Sequence, residues 1–230
     1  MKPYYEHAGI TIYHGDCREI LPRLDLASVD LAFVDPPYGM RLDASFANSK
    51  PNPKKGIAAS RGYEQVVGDD DDFDPEPVFA ALSRIGEQFW WGADYYRARL
   101  PGGGSWLVWD KRVGLEQVQY SSAEFELCWS RRVRHRKILR HRWFGLCGTE
   151  TQDIARRVHP NQKPRELVDE CVRLSKTTGT ILDPFFGSGT TLYVAKNAGR
   201  KAIGVEIVES YCEIAAKRLS QEVLDFTRTA

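Results

Sequence analysis

Short apolar runs that break off at Asp, Gly or Pro recur along this chain with helix-period segments between them, and that alternation admits few folds. It predicts strands over 10–14, 29–34, 86–92, 105–110, 123–129, 179–183 and 202–206, seven in all. Helices are expected over 17–23, 76–84, 93–99, 164–176, 189–198 and 209–224. Pro164 suits a first helical turn, where its missing N–H costs nothing. Strands interleaved with helices predict a largely parallel sheet covered on both faces. With 230 residues, 42% of them hydrophobic, the chain can bury one substantial core, so one domain spanning 1–230 is expected.

Two stretches depart from this rhythm. Residues 40–66, which include ANSKPNPKKGIAASRG, cannot supply a packed core and read as a mobile loop of about 25 residues, long enough to suggest a functional reason. Residues 68–77 (GDDDDFDPEP) read as a solvated acidic loop whose last Asp caps a helix starting near Pro75. The aromatic stretch Phe89-Trp90-Trp91-Gly92-Ala93-Asp94-Tyr95-Tyr96 reads as a buried strand followed by a helix cap rather than a stacking surface.

Composition excludes several classes. The net charge of +1 gives no general attraction to nucleic acid, so any such binding must come from local charge. Cys17, Cys128, Cys147, Cys171 and Cys212 are scattered, without metal-ligand spacing, and read as reduced core thiols. The first residues, MKPYYEHAGI, lack a leader pattern, and no apolar run approaches the roughly 18 residues that span a bilayer. A soluble cytoplasmic protein without membrane contact is expected.

Two motifs carry chemistry. Asp35-Pro36-Pro37-Tyr38 follows VDLAFV directly, at the C-terminal end of a strand, where open α/β sheets hold their ligands. The prolines fix the backbone and remove two donors, leaving carbonyls to accept hydrogen bonds. Asp35 adds a carboxylate and Tyr38 a flat ring, which together suit an amino group on a planar base. A plain proline-rich turn with a capping Asp is the competing reading.

The second motif, residues 183–191 (DPFFGSGTT), also follows a short strand and opens a helix. Gly187 and Gly189 let a ligand approach the backbone. No Lys follows them, as a phosphate loop would need, and the three-glycine dinucleotide spacing is missing. Asp183 would repel a phosphate but suits an ammonium group, while Glu206, 19 positions beyond Gly187, stands where such folds bind ribose hydroxyls. A ribose-bearing ligand with an amino-acid end, such as S-adenosylmethionine, satisfies these constraints.

These motifs resemble those of the beta class of amino-group (N6-adenine and N4-cytosine) DNA methyltransferases. DPPY is similar to that family's catalytic motif and DPFFGSGTT to its cofactor loop. Gly15-Asp16-Cys17 resembles the adenine-contacting motif, and His159-Pro160-Asn161-Gln162-Lys163-Pro164 the HPxQKP motif. The resemblance covers nearly the whole chain. It implies a circularly permuted, Rossmann-like, seven-stranded α/β methyltransferase fold. The family's first two strands would be 179–183 and 202–206, its third and fourth 10–14 and 29–34, and its last strands an antiparallel hairpin.

Carried over residue by residue, Asp16 would bind the adenine of S-adenosylmethionine, with Cys17 beside it, and Glu206 the ribose, with Ile207 beside it. Asp183 with Phe185, Phe186, Gly187, Ser188, Gly189, Thr190 and Thr191 would hold the methionine part. Lys163 would lie near its carboxylate, and Asp35 would face both cofactor and base. S-adenosylhomocysteine is the implied product, with no metal required. A base inside a duplex cannot reach a sulfonium, so flipping is expected, with Tyr38 as stacking platform. Asp, rather than Ser, as first residue of DPPY is commoner in the adenine enzymes of the family. An N4-cytosine enzyme and a catalytically silent nucleic-acid-binding subunit of the same fold are the alternatives.

Double-stranded DNA is the implied partner of this prokaryotic or phage-type enzyme. Residues 131–142 (RRVRHRKILRHR) supply seven cationic side chains, Arg131, Arg132, Arg134, Arg136, Lys137, Arg140 and Arg142, and no acid. They sit in the stretch of about 130–158 where the family carries target recognition, and a solvated basic strand edge is the competing reading. The stretch is short, so a homodimer or the 40–66 loop would supply further contacts.

Overall fold

Along Val29–Val34, Leu31 and Phe33 join one apolar cluster while Ala32 and Val34 join another, all four buried, as a strand covered by helices on both sides requires. The computed structural model describes residues 1–37, 67–69, 73–114, 123–144, 147–148, 159 and 161–220. Its strands are β1 (Tyr5–His7), β2 (Ile10–His14), β3 (Val29–Val34), β4 (Glu87–Trp91), β5 (Ser105–Asp110), β6 (Phe125–Ser130), β7 (Lys137–Arg140), β8 (Trp143–Phe144), β9 (Cys147–Gly148), β10 (Thr180–Asp183) and β11 (Ala202–Glu206). Its helices are α1 (Cys17–Ile20), α2 (Glu76–Leu82), α3 (Arg165–Ser175), α4 (Thr190–Asn197) and α5 (Glu209–Ser220).

Nine strands form one sheet in the order β1-β2-β11-β10-β3-β4-β6-β5-β7, and β8 pairs with β9 separately. From β2 to β4 all neighbours run parallel. β6 inserts antiparallel between β4 and β5, and β7 runs parallel to β5. The seven expected strands are present in the permuted Rossmann-like order, and β1 and β7 add one strand to each edge. β10 and β11, late in the chain, fill the space between β2 and β3.

One face of the sheet presents Ile10, Ile12, Leu31, Phe33, Phe89 and Trp91 to α3, α4 and α5 through Leu167, Val168, Leu192, Cys212 and Ala215. The other presents Val29, Ala32, Val34 and Trp90 to Val78, Leu82 and Ile85. Each such large apolar side chain contributes roughly 1.5–3 kcal/mol by leaving water. Cys17, Cys128, Cys171 and Cys212 are free and buried in these layers.

Three local expectations change. Residues 93–99 form turns ending in a 3-10 segment, Arg97–Arg99, instead of an α-helix: Gly92 takes φ +61° and the Tyr96 hydroxyl donates back to Trp91 O at 2.8 Å. Asp69 is buried rather than solvated, although Asp74 does accept from Glu76 N at 3.1 Å as the cap reading requires. Part of the basic segment is a strand, β7. Residues 40–66 and 221–230 lie outside the described residues, and among those described no helix is long and apolar enough to cross a membrane.

Candidate active site

The C-terminal ends of β3 and β10 lie side by side in the sheet, so Asp35 and Asp183 open onto the same edge. The prolines that follow Asp35 end the strand, and Pro36 is buried while Pro37 is half-buried. Tyr38 lies outside the described residues.

Asp35 is held by Lys163, whose Nζ lies 2.8 Å from its Oδ1. The same ammonium lies 3.0 Å from Oε2 of Glu126 near the start of β6, and Lys111 engages Oε1 of that carboxylate. Lys163 is 7% exposed and stands 5.4 Å from the Trp91 ring centroid and 5.9 Å from that of Trp109, within cation–π range. Burial disfavours its charged form, yet Asp35 and Glu126 outweigh that and raise its pKa. Burial likewise opposes ionisation of Glu126, but the two lysines hold it down at about 2. The result is an alternating row of charges: Asp35, Lys163, Glu126, Lys111.

At the end of β10, Asp183 is 3% exposed, accepts from Phe185 N at 3.0 Å and is hydrogen-bonded by Thr191. Burial still pushes its carboxyl up to about 7. The turn beyond it depends on glycine twice. Gly187 adopts φ +51° and Gly189 φ +78°, and a Cβ on Gly189 would stand 2.9 Å from that of Ala215. Phe186 packs into the core, Phe185 meets Phe73 edge-on, and Ser188 O accepts from Arg218. Thr190 and Thr191 are buried in the first turn of α4, which Gly189 precedes.

Glu206 closes β11. Its Oε2 accepts from Gly187 N and its Oε1 from Val208 N, both at 2.9 Å, and burial raises its pKa. Next to it, His14 Nε2 contacts Ile207 O at 3.1 Å, with Ile207 itself 44% exposed. Gly15 N donates to Glu206 O at 2.9 Å, which brings the Gly15-Asp16-Cys17 turn beside Glu206. Asp16 caps α1 by accepting from Arg18 N at 2.8 Å and pairs with the Arg18 side chain, which holds its carboxyl below the usual range. Cys17 is buried, and burial pushes its thiol up to about 12, so it is an inert neighbour rather than a nucleophile. The expected cofactor residues thus converge on one edge of the sheet, over the ends of β2, β3, β10 and β11.

The basic segment does not converge in this way. Arg131 donates to Ser83 O at 2.9 Å and Arg132 abuts Gly86, both where β4 begins, at the opposite end of the sheet. Arg134, Arg136 and Lys137 are exposed, and Lys137 pairs with Leu107 in β5, which lies opposite Cys128 and hence level with Trp91 at the end of β4. Arg140 lies opposite Asp110 in the register and, with Arg142, reaches the catalytic edge.

Glu126, Lys111 and Trp109 were not among the residues expected from sequence. One signal was available: in EFELCW, Glu126 has the same strand parity as Cys128, which belongs to the core, so an acid stood on an inward-facing position.

A carboxylate and a carbonyl-rich turn beside a glycine turn can accept hydrogens from an amine while a second ligand lies within reach. Comparison with known proteins agrees with that chemistry. The N6/N4 DNA methylase family model matches residues 103–217, half of the chain. The type II methyltransferase M2.LlaDCHI of Lactococcus lactis subsp. cremoris is 28% identical, over 96% of this chain and 93% of its own. The cytosine-N4-specific PvuII DNA methyltransferase superposes with a TM-score of 0.60 at 17% identity, covering 97% of this chain and 90% of its own. The M1.HpyAVI–SAM complex gives 0.53 at 20%, covering 91% and 99%.

Proposed function

The chain belongs to the N6/N4 DNA methylase family, and from that premise we propose that it transfers the methyl group of S-adenosylmethionine to N6 of adenine in double-stranded DNA. The observation that carries this reading is the adjacency of Asp35, at the end of β3, and the glycine turn at the end of β10.

The residues present fit the cofactor. Glycines at positive φ admit a ligand against the backbone, the buried Asp183 pairs with no cation among the described residues, a charge that an amino-acid ammonium would supply, and Glu206 offers oxygens for ribose hydroxyls. When bound, S-adenosylmethionine supplies an electrophilic methyl group on a sulfonium. Asp183 with Phe185 to Thr191 would hold its methionine part, Glu206 and Ile207 the ribose, and Asp16 and Cys17 the adenine.

Asp35 and the Pro36 carbonyl accept the two hydrogens of the target amine, which turns the nitrogen lone pair toward the methyl carbon. As the nitrogen takes up the methyl group, with S-adenosylhomocysteine as the leaving product, Asp35 would face the positive charge arising on nitrogen, and the surplus proton would pass to the Asp35 carboxylate and from there to water. The flipped base stacks on Tyr38. Arg140 and Arg142, at the catalytic edge, contact phosphates, and the whole of 1–230 acts as one catalytic domain in a prokaryotic cytoplasm. A carboxylate at position 35, instead of a hydroxyl, supports adenine over cytosine.

Tritiated-methyl transfer to DNA by the wild type and by Asp35→Ala tests the assignment. Asp35→Ala is expected to lose methylation and keep cofactor binding; retained turnover overturns it. Digestion and mass spectrometry of the product are expected to give N6-methyladenine, and N4-methylcytosine refutes the choice of base.

A further inference from the structure

The charges behind Asp35 alternate and cancel: two carboxylates, Asp35 and Glu126, and two ammonium groups, Lys163 and Lys111. These four side chains are only 7–23% exposed, so little water screens them from one another. Trp91 and Trp109 wall the Lys163 ammonium, and Lys111 Nζ stands 4.8 Å from the Trp109 centroid. Backbone geometry fixes the row as well. Glu126 lies opposite Trp109 in the β5–β6 register, and Lys111 N donates to Glu124 O at 3.0 Å immediately beyond it.

We propose that Glu126, balanced by Lys111, is a positioning residue for methyl transfer, which sets the orientation and charge of Asp35 through Lys163. The inference rests on the methyltransferase reading above. Without the charge of Glu126, Lys163 and Lys111 together would leave a net positive charge around Asp35. Glu126, 3.0 Å from Lys163, cancels the second ammonium charge, so Asp35 keeps enough negative character to meet the charge that arises on nitrogen. The ground-state amine is neutral, so the effect falls on the chemical step and hardly on substrate binding.

Glu126→Gln removes the negative charge at nearly constant shape. Its kcat is expected to fall roughly tenfold, mid-range for residues coupled through one network, while S-adenosylmethionine affinity and the KM for DNA stay close to wild type. In Glu126→Gln/Lys111→Gln the charges cancel again, and most of the lost kcat returns; a merely structural role for Glu126 would make the double variant worse than the single one. A single variant as active as wild type, or a double variant with no recovery, overturns the proposal. Should Glu126→Gln fail to fold, a double variant that folds and works near the wild-type rate supports it, and one that folds without activity overturns it. A wild type that methylates no DNA instead overturns the functional reading, and this inference with it.

Discussion

The backbone N–H of Gly187 donates to Oε2 of Glu206 over 2.9 Å, which ties the turn after β10 to the end of β11. Two groups expected to hold different parts of one ligand are therefore set relative to each other before the ligand arrives. Gly187→Ala strains a left-handed residue at φ +51° and brings a Cβ to 3.3 Å from His159 Nε2. We expect a loss of about 1–2 kcal/mol in stability, the cost of that conformation for an L side chain, together with weaker S-adenosylmethionine binding. Chemical denaturation and calorimetric titration measure the two.

Asp183 couples cofactor binding to pH. Its carboxyl is raised to about 7 in the folded protein, whereas an unfolded Asp titrates at about 3.9. The folded state therefore binds more protons between those values, and the stability this group contributes is full below about 4 and is lost as pH rises to about 7. A ligand ammonium favours the ionised form, so S-adenosylmethionine affinity should fall as pH drops from 8 to 6. Asp183→Asn should gain on the order of a few kcal/mol of stability at neutral pH. It should also weaken the cofactor roughly 10- to 100-fold, the worth of one charged hydrogen bond, and flatten the pH dependence. Titrations across that range decide it.

Lys163 serves two carboxylates, so Lys163→Met leaves Asp35 and Glu126 facing each other with no shared cation. Breaking one side of such a buried arrangement costs about 3–5 kcal/mol, and urea unfolding should register a loss of that order. Lys163→Arg keeps the charge and should recover part of it.

The two ends of the basic segment should separate in DNA binding. Substituting Arg140 and Arg142 by Gln is expected to weaken binding and reduce the salt slope by about one per phosphate contact removed. Substituting Arg131 and Arg132, which lie toward the opposite end of the sheet, should leave the slope nearly unchanged. Fluorescence anisotropy over a salt series distinguishes the groups; equal slopes for both would place phosphate contacts at both ends.

What the sequence made legible was local. VDLAFV and TILD announce buried parallel strands because both of their faces are apolar, and the motifs that end them stand out by their Pro and Gly. β1 and β7 escaped notice for a physical reason. Glu6 and His7 of β1 are exposed, and β7 (KILR) buries only Leu139, so neither shows the alternation that marks a half-buried strand. The insertion of β6 between β4 and β5 depends on long-range pairing that no local pattern encodes. Lys163 and Asp35 meet across 128 positions, and Glu126 hid within a strand as one acid among apolar neighbours. Pro101 and the glycines after it limit the segment that follows Trp91, which helps to explain why 93–99 closed into turns rather than a helix.

The strand order also bears on how the molecule is made. β2 and β3 are not neighbours; they border a slot two strands wide that β10 and β11, translated well after them, come to fill. A ribosome releasing this chain from its N-terminus would thus expose two apolar strand edges until the cofactor turn emerges. Completion of the sheet and completion of the ligand pocket become a single late event, so a truncation just before residue 180 should yield an aggregating chain rather than a smaller stable domain.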